Sequence, residues 1–265
     1  MENETKPMPE KLRSITQEVA IKRLTEAGAS DVVDVLIREA TLRVTLIRDA
    51  ETGRAPRDGH TLERQSDRDS SHQFALCADR IDDFLVGWLR SSGLIQTYGD
   101  LLDLTIEEAA KDVWRASVHL AAKAQPVSRI NETMPALPLP ASWFFAAFDQ
   151  QDADGHLFKL TGSSHVLGLY DWQGAQLDLV EDISRHVAFD KLIGRAVKND
   201  LDLTQCLVLT SCRLTGSIVL KGIAVGLPLL ASRAAVSSRA LQLAQKHKVR
   251  LLGFVRGGRM NVYGS

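Results

Sequence analysis

The clearest pattern of apolar and polar positions lies in the last third of the chain. Short apolar runs at 205–211, 227–232 and 250–255 predict buried β-strands, and the stretches 215–226 and 237–248 between them predict helices. Strands that alternate with helices over short connections are parallel, and runs that are apolar throughout are typical of strands buried on both faces. This region therefore predicts a parallel α/β sheet covered by helices.

The residues ahead of these strands predict further elements of the same domain. Apolar positions at helical spacing predict one helix over 141–151 and another over 185–199. Apolar and polar residues alternate over 156–183, with Gly174 where a turn is needed, and this alternation predicts a β-hairpin.

The first half of the chain predicts a mixture of helices and strands. Residues 31–47 are rich in Val, Ile and Thr on both sides of Arg38 and Glu39, which predicts a hairpin that turns there. Apolar residues three and four apart predict a helix over 78–95, with Asp79 as its N-cap. The other expectations are a weak helical pattern over 1–30, a strand over 100–106 and a strand or short helix over 109–121.

Two polar segments interrupt the pattern. Residues 48–73 contain almost no apolar side chains and predict a long charged loop. Residues 125–140 hold four prolines and show almost no periodicity, as is typical of a linker. We therefore expect a smaller α+β domain over 1–135, which carries the charged insert, and an α/β domain over 136–265.

Composition narrows the class of protein. The chain has 265 residues, 45% apolar content and a net charge of −1, so it can build a sizeable core but lacks the positive charge of a typical nucleic-acid binder. Its three cysteines form no Cys-x-x-Cys pair, which argues against a disulfide framework or a structural zinc site. The first residues are polar and no apolar run could span a bilayer, so we expect a cytoplasmic protein that contacts neither membrane nor nucleic acid.

Arginines and small residues follow each of the three C-terminal strands. They are Arg213 after the first strand, Ser232 and Arg233 after the second, and Arg256, Gly257, Gly258 and Arg259 after the third. The carboxyl ends of parallel strands share one edge of a sheet, where ligands bind. Guanidinium groups bind phosphate in a bidentate manner, and glycines let backbone amides approach it. The sequence predicts a pocket for a phosphate-bearing ligand; the alternative is that some arginines pair with the chain's own carboxylates.

Two histidines and one cysteine are further candidates for chemistry. His186 and Asp190 share a helix face, which fits an acid/base pair as well as a structural contact, and the role of His165 is similarly open. Neither histidine has zinc-ligand spacing, so we expect no metal. Cys212 stands beside Arg213 near a predicted helix start, which favours a lowered thiol pKa and a nucleophilic role; the alternative is a small packing residue.

The chain resembles the FdhD family of formate dehydrogenase accessory proteins, also called sulfur carrier proteins. The resemblance is dense over 157–263 and rests on the stretches "LTGSSH", "EDISRHVAFDKLIG", "LTSCRLTGSIVLKG", "LPLLASRAAVSS" and "LLGFVRGGRMNVY". It implies a C-terminal three-layer α/β/α core like that of cytidine deaminases, a smaller α+β N-terminal domain and a homodimer.

The resemblance also implies a ligand and partners. The ligand is Mo-bis(molybdopterin guanine dinucleotide), with GDP as a partial ligand, and the partners are a cysteine desulfurase and formate dehydrogenase. The family's role is to transfer sulfur to that cofactor. The family's cofactor-binding stretch falls on Phe254, Val255, Arg256, Gly257, Gly258 and Arg259. Together with Arg213, Arg233, Ser232, His165 and His186, these are the candidate binding residues.

One departure from the family pattern affects the chemistry. The family carries its persulfide on a Cys-x-x-Cys between the two domains, whereas residues 121–140 contain no cysteine here, and Ser163 and Ser164 stand where the family has a thiol. Three functions remain open. The first is a cofactor-binding maturation factor with sulfur transfer weakened or lost, and the second is a sulfurtransferase that uses Cys212 or a desulfurase partner directly. The third is a nucleotide hydrolase or deaminase on the same fold, against which the missing zinc-ligand spacing argues.

Overall fold

The computed structural model describes residues 9–48, 69–121 and 133–264. Most of the predicted charged loop and the first half of the predicted linker lie outside these described residues. The elements are, in chain order, α1 (Glu10–Ile15), β1 (Thr16–Thr25), β2 (Gly28–Ile37), β3 (Ala40–Arg48), β4 (Asp69–Leu76), α2 (Ile81–Ser91), β5 (Leu101–Ala110), β6 (Val113–Leu120), α3 (Ala141–Asp154), α4 (His156–Thr161), β7 (His165–Asp171), β8 (Gln176–Asp182), α5 (Arg185–Lys198), β9 (Cys206–Thr210), α6 (Gly216–Val225), β10 (Leu229–Ser232), α7 (Ser238–His247), β11 (Arg250–Arg256) and β12 (Arg259–Tyr263).

The C-terminal half is built on a six-stranded sheet in the order β12-β11-β10-β9-β7-β8. Strands β9, β10 and β11 are parallel, as their apolar runs predict. The predicted hairpin is confirmed for β7 and β8, with Gly174 at φ +90° in the turn, although its first residues form α4 instead. Strand β12, which the sequence pattern did not indicate, pairs antiparallel with β11.

This sheet is the middle of three layers. Side chains alternate between its two faces, so that Leu207 and Leu209 of β9 pack with α3, whereas Val208 packs in the core formed with α5, α6 and α7. The predicted α/β class is therefore confirmed. The closer likeness to cytidine deaminases stays a prediction.

The N-terminal half holds a four-stranded sheet in the order β4-β3-β6-β5, with α2 packed on one face. The prediction of a hairpin over 31–47 was wrong. Strand β2 pairs with β1, and β3 pairs with β4 and β6, so the chain passes from one sheet to another at Arg38 and Glu39. The weak helical pattern over 1–30 was also misleading, because only the short α1 is helical in the described part of that range and residues 16–25 form a strand. Alternation identifies a strand but not its partner.

Helices α2 and α5 join the two halves at a crossing with a glycine on each helix. A Cβ on Gly87 would lie 1.8 Å from the carbonyl oxygen of Asp190, and one on Gly194 would lie 1.7 Å from that of Asp83. Only glycine permits this approach. The predicted division at residues 135 and 136 stays a prediction.

A buried lysine on α5 strengthens the same contact. Lys191 Nζ lies 2.7 Å from an oxygen of Asp79 and 2.7 Å from one of Asp182. Burial lowers the lysine pKa, but the two carboxylates outweigh burial and raise it, so the side chain stays charged. Asp79 therefore does not cap α2 as predicted; the N-cap is Arg80. Across the described ranges, no helix is long and apolar enough to cross a membrane.

Candidate functional site

The ends of three parallel strands meet along one edge of the six-stranded sheet, as predicted. The loops that follow β9 and β10 are hydrogen-bonded, since the N–H of Leu214 donates to the carbonyl of Ala235 at 3.0 Å. Strand β7 runs antiparallel to β9 and so begins at this edge, where the N–H of Ser211 donates to the carbonyl of Val166. Residues from distant parts of the chain are thereby collected at one place.

A group that we call the cationic cluster lies at this edge and consists of His165, Arg185, His186 and Ser217. His165 opens β7, while Arg185 and His186 open α5. The Nε2 atom of His186 lies 2.9 Å from Oγ of Ser217, in the first turn of α6. Ser217 Oγ in turn lies 3.0 Å from Oγ1 of Thr215. The cluster thus combines three nitrogen-bearing side chains with hydroxyl groups at a helix N-terminus.

Both histidines of the cluster resist protonation. Burial lowers the pKa of His165, and the charge of Arg185 lowers it further. Burial also lowers the pKa of His186, with smaller effects from Arg185, Lys221 and His165. Each imidazole is therefore neutral near pH 7 in the free protein. An anion bound beside them would favour the protonated forms and raise both pKa values.

Arg185 has an unsatisfied donor. Its Nε atom is buried, and no group in the described part of the chain accepts a hydrogen bond from it. Leaving such a group unpaired is costly, so a ligand that accepts this hydrogen bond would be favoured here. Nε of Arg233 is likewise buried without an acceptor in the described ranges, although its Nη2 atom is paired with carboxylates. No side chain caps α6 at Thr215 either, which leaves the helix N-terminus open to an anion.

A cleft of about 550 Å³ adjoins the cluster between the two halves of the molecule. The N-terminal half contributes the aromatic side chains of Phe74 and Trp88, whose ring centroids lie 5.1 Å apart. The C-terminal half contributes His186 and Lys221. The cleft therefore has an aromatic wall and a polar wall, on which Lys221 is paired with Asp190.

The predicted acid/base pair of His186 and Asp190 is not formed. Asp190 is buried and lies 2.7 Å from Lys221 Nζ, and it accepts a hydrogen bond of 2.7 Å from Ser91. Burial raises the pKa of Asp190, and Lys221 and Ser91 offset part of that effect. The structural alternative is the correct one, because the carboxylate is fully occupied by other partners.

The predicted convergence of unpaired arginines is wrong for Arg233. Its guanidinium lies 3.0 Å from Asp149 and 3.1 Å from Asp152, both on α3, and stacks over the ring of Phe148. These contacts place it on the α3 face of the sheet, whereas α5 and α6 lie on the other face. Arg213 remains exposed near the cluster. The binding roles predicted for both arginines stay predictions.

The stretch from Arg256 to Arg259 has a structural explanation that the sequence did not reveal. Gly257 and Gly258 have φ values of +59° and +71° and form the two-residue turn of the β11–β12 hairpin, in which Arg256 pairs with Arg259. Both arginines and both glycines are exposed. Ligand binding by this stretch stays a prediction, but its glycines are required by the turn itself.

Two further predicted binding residues are packed against this hairpin. Val255 is fully buried in the core with α3 and has no exposed surface that a ligand could contact. Phe254 adopts a left-handed conformation at φ +54° beside a break in the strand register, and the guanidinium of Arg256 lies over its ring. Both residues shape the end of β11.

Ser232 and Cys212 are buried under the loops at this edge. Ser232 Oγ donates to the carbonyl of Cys212 at 2.7 Å and accepts from the N–H of Ala234, so this hydroxyl is occupied. Burial raises the pKa of the Cys212 thiol, although Thr210, Arg185 and Arg213 act in the opposite direction. The prediction of a lowered pKa was wrong, because burial outweighs the neighbouring charge. Its catalytic role is an untested prediction.

Sequence reasoning missed Arg185, Ser217, Lys221 and the aromatic wall of the cleft. Arg185 stands next to His186 at a helix start, and that position was a usable signal. Ser217 lies in the turn after Thr215, where hydroxyl residues open a helix. Nothing in the sequence indicated that Phe74 and Trp88 line the cleft, because they belong to the other half of the chain and their pattern is that of core residues.

Comparison with known proteins agrees with this architecture. Residues 115–265 match the model of the FdhD/NarQ family. The chain is 28% identical to the sulfur carrier protein FdhD of Methanothermobacter thermautotrophicus over 72% of this chain and 82% of that protein. It is 40% identical to the protein of that name from Streptomyces coelicolor, over 43% of this chain and 41% of that one.

A solved structure shows the same fold. It belongs to a Desulfotalea psychrophila protein assigned as a formate dehydrogenase accessory protein, with a TM-score of 0.72 and 21% identity, and the match covers 95% of this chain and 97% of that one. The family model extends over more than half of the present sequence. The chain therefore belongs to the FdhD/NarQ family.

Proposed function

We propose that the protein is a formate dehydrogenase accessory protein that binds Mo-bis(molybdopterin guanine dinucleotide) as cargo, through the phosphates of a guanine nucleotide at the cationic cluster. The observation that carries the proposal is the buried Nε of Arg185, which has no acceptor within the described ranges. A phosphate oxygen supplies that acceptor. The names of the relatives supply the client enzyme, formate dehydrogenase.

The chemistry of the cluster suits a diphosphate. A guanidinium forms charge-assisted hydrogen bonds to phosphate oxygens, and the uncapped N-terminus of α6 offers backbone N–H groups and a favourable dipole. His165 and His186 are neutral donors at pH 7 and become cations when an anion raises their pKa values. Ser217 and Thr215 add hydroxyl donors. None of Arg185, His165 and His186 is ion-paired to a carboxylate in the described part of the chain, in contrast to Arg233.

The cleft suits the ring system of the same ligand. Its volume of about 550 Å³ falls within the range of small-molecule pockets, on the order of 300–1,000 Å³. Phe74 offers a partly exposed aromatic ring, backed by Trp88, on which a planar heterocycle can stack. Lys221 and His186 link this wall to the cluster, so one nucleotide can use both parts of the site.

The thiols of this chain favour a binding role over a sulfur-carrying role. The sequence contains no Cys-x-x-Cys, and Cys77, Cys206 and Cys212 are all buried. Burial raises the pKa of Cys77 to about 12 and that of Cys206 to about 11. Since a thiolate is needed to accept sulfur, none of the three is prepared for it. The protein holds the cofactor while sulfur arrives by another route.

Calorimetry with GDP tests the site. Arg185→Met removes the donor and keeps the length of the side chain, and loss of a charge-assisted hydrogen bond of about 2 kcal/mol weakens GDP binding roughly thirtyfold. Arg195→Met is the matched control, because Arg195 lies on the same helix and is exposed. Equal GDP affinity in both variants, or no GDP binding by the unmodified protein, would refute the assignment.

A further inference from the structure

A second cavity lies at the far ends of the helices that form the cationic cluster. Helices α5 and α6 both begin at the cluster and end at Lys198 and Val225, and the 14 residues of α5 separate its two ends by about 20 Å. A cavity of about 360 Å³ lies there, lined by the last turns of α2, α5 and α6 and by the loops that follow α2 and α5. We call this cavity the helix-end pocket.

The helix-end pocket has the opposite polarity to the cationic cluster. A helix carries partial positive charge at its N-terminus and partial negative charge at its C-terminus, so α5 and α6 favour an anion at the cluster and a cation at the pocket. Asp200 and Asp202, both exposed, line the pocket in the loop after α5. Asp202 accepts hydrogen bonds from Thr204, whereas Asp200 takes part in no ion pair within the described ranges. A cation in the pocket therefore meets a carboxylate without a charged partner in those ranges.

An arginine of the chain already lies in the pocket and shows which group fits a helix end. Nη1 of Arg90 donates to the carbonyl oxygen of Ala224, in the last turn of α6, at 2.8 Å. The charged residues that line the pocket are this one arginine and the two aspartates, so their formal charge is −1, and the helix C-termini add partial negative charge. The pocket therefore remains negative with Arg90 in place.

The rim of the pocket favours an organic cation over a metal ion. Tyr98 lines the pocket and is 45% exposed, and Leu102, four residues further along the chain, is 53% exposed. A guanidinium group is attracted to the face of an aromatic ring, and exposed apolar side chains near one another mark surfaces that bind proteins. In the part of the chain that the structure describes, no group of three or more His, Cys, Asp or Glu side chains could hold a metal ion.

We propose that the helix-end pocket binds an arginine side chain of a partner protein, whose guanidinium contacts Asp200 and the ring of Tyr98. Arginine suits the pocket better than lysine, because its planar group carries five N–H donors, reaches a carboxylate and helix-end carbonyls together, and stacks on aromatic rings. The exposed Leu102 offers a contact to apolar residues beside that arginine. This site is separate from the nucleotide site, so both can be occupied at once.

Heteronuclear NMR titration with N-acetyl-arginine amide tests the pocket directly. The probe shifts the backbone amide signals of Tyr98, Asp200 and Gly226, which line the pocket. The corresponding citrulline amide is the matched control ligand, since it has nearly the same shape but no charge, and it leaves these signals in place. Equal shifts with both compounds, or no shift at the pocket with the arginine probe, overturns the proposal.

Two aspartate variants test the role of Asp200. Asp200→Asn removes the charge and keeps the shape, and asparagine tolerates the left-handed conformation of this position, φ +51°. Loss of one exposed ion pair weakens binding of the arginine probe about three- to fivefold. Asp112→Asn is the control, because Asp112 has the same conformation, φ +58°, in the turn between β5 and β6. An affinity that Asp200→Asn leaves unchanged contradicts the assignment. GDP affinity is the same in both variants, so failure here does not affect the proposed nucleotide site.

Selection from a random peptide library tests whether the arginine belongs to a protein. Peptides retained by the unmodified protein are enriched in arginine next to an apolar residue. They bind the Asp112→Asn variant with unchanged affinity and the Asp200→Asn variant more weakly. Retained peptides that lack arginine, or that do not distinguish the two variants, overturn the proposal. Binding of the small probe without any enrichment of arginine peptides identifies a small-molecule site and overturns the assignment to a protein partner.

Discussion

The glycine crossing between α2 and α5 yields the sharpest prediction of stability. Adding one methyl group at Gly87 places a Cβ 1.8 Å from the backbone oxygen of Asp190, and α2 must move by about 1.2 Å before the contact reaches 3.0 Å. The obstacle is backbone, which cannot rotate away. Ion pairs that bridge the same helices, such as Lys198 with Asp83 at 2.7 Å, are stretched by that movement.

The expected cost of Gly87→Ala is about 3 kcal/mol. Overpacking a core typically costs ~1–3 kcal/mol, and weakening of the buried ion pairs adds to it. Helix propensity acts the other way, since alanine is favoured over glycine by about 1 kcal/mol in a helix interior. Packing therefore predicts that Gly87→Ala lowers the free energy of unfolding, whereas helix propensity predicts that it raises it. Against a total stability of roughly 5–15 kcal/mol, the packing effect is readily measured.

Urea unfolding followed by far-UV circular dichroism measures the difference. Gly99→Ala is the control, because a Cβ there meets no atom nearer than 3.7 Å. Gly194→Ala, on the other helix, destabilises similarly, and the double variant costs less than the sum because both methyl groups open the same contact. A Gly87→Ala protein at least as stable as the unmodified one, with an unchanged urea dependence, would refute the packing argument.

Two further predictions concern the site. GDP affinity rises as the pH falls from about 8 to about 6, because burial lowers the pKa values of His165 and His186 and a bound anion raises them, so that binding takes up protons. Calorimetry in buffers of different ionisation enthalpy measures how many protons are taken up on binding, and His186→Gln reduces that number. If GDP binding takes up no protons at any pH in this range, the two histidines do not contact the ligand. The three thiols of the native protein react slowly with Ellman's reagent at about pH 8 and rapidly in urea, because burial keeps them protonated. Incubation with a cysteine desulfurase and cysteine leaves no persulfide on them, and label on Cys212 would favour the sulfurtransferase alternative.

Local patterns of apolar and polar residues were enough to predict the helices and strands that bury one or both of their faces. The strands at 206–210 and 229–232 and the helices at 185–198 and 238–247 appear close to where apolar runs and helical spacing predict them, because burial imposes those periods on the sequence. The parallel order of β9, β10 and β11 also followed from the sequence, since short helical crossovers permit no other arrangement. The sequence alone therefore located the candidate edge.

The contacts that each charged or reactive side chain makes could be known only from the tertiary structure. Whether Arg233 is unpaired or forms an ion pair with Asp149 depends on where α3 packs. Because α3 lies far earlier in the chain, no local sequence pattern predicts that contact. The neighbours of Cys212 suggested a reactive thiol, yet its pKa is set by the layers that bury it. The cleft is lined by Trp88 of α2 and His186 of α5, which are distant in the sequence. A sequence specifies which residues are apolar and which can carry charge, whereas the enclosure that decides their chemistry exists only once the chain has folded.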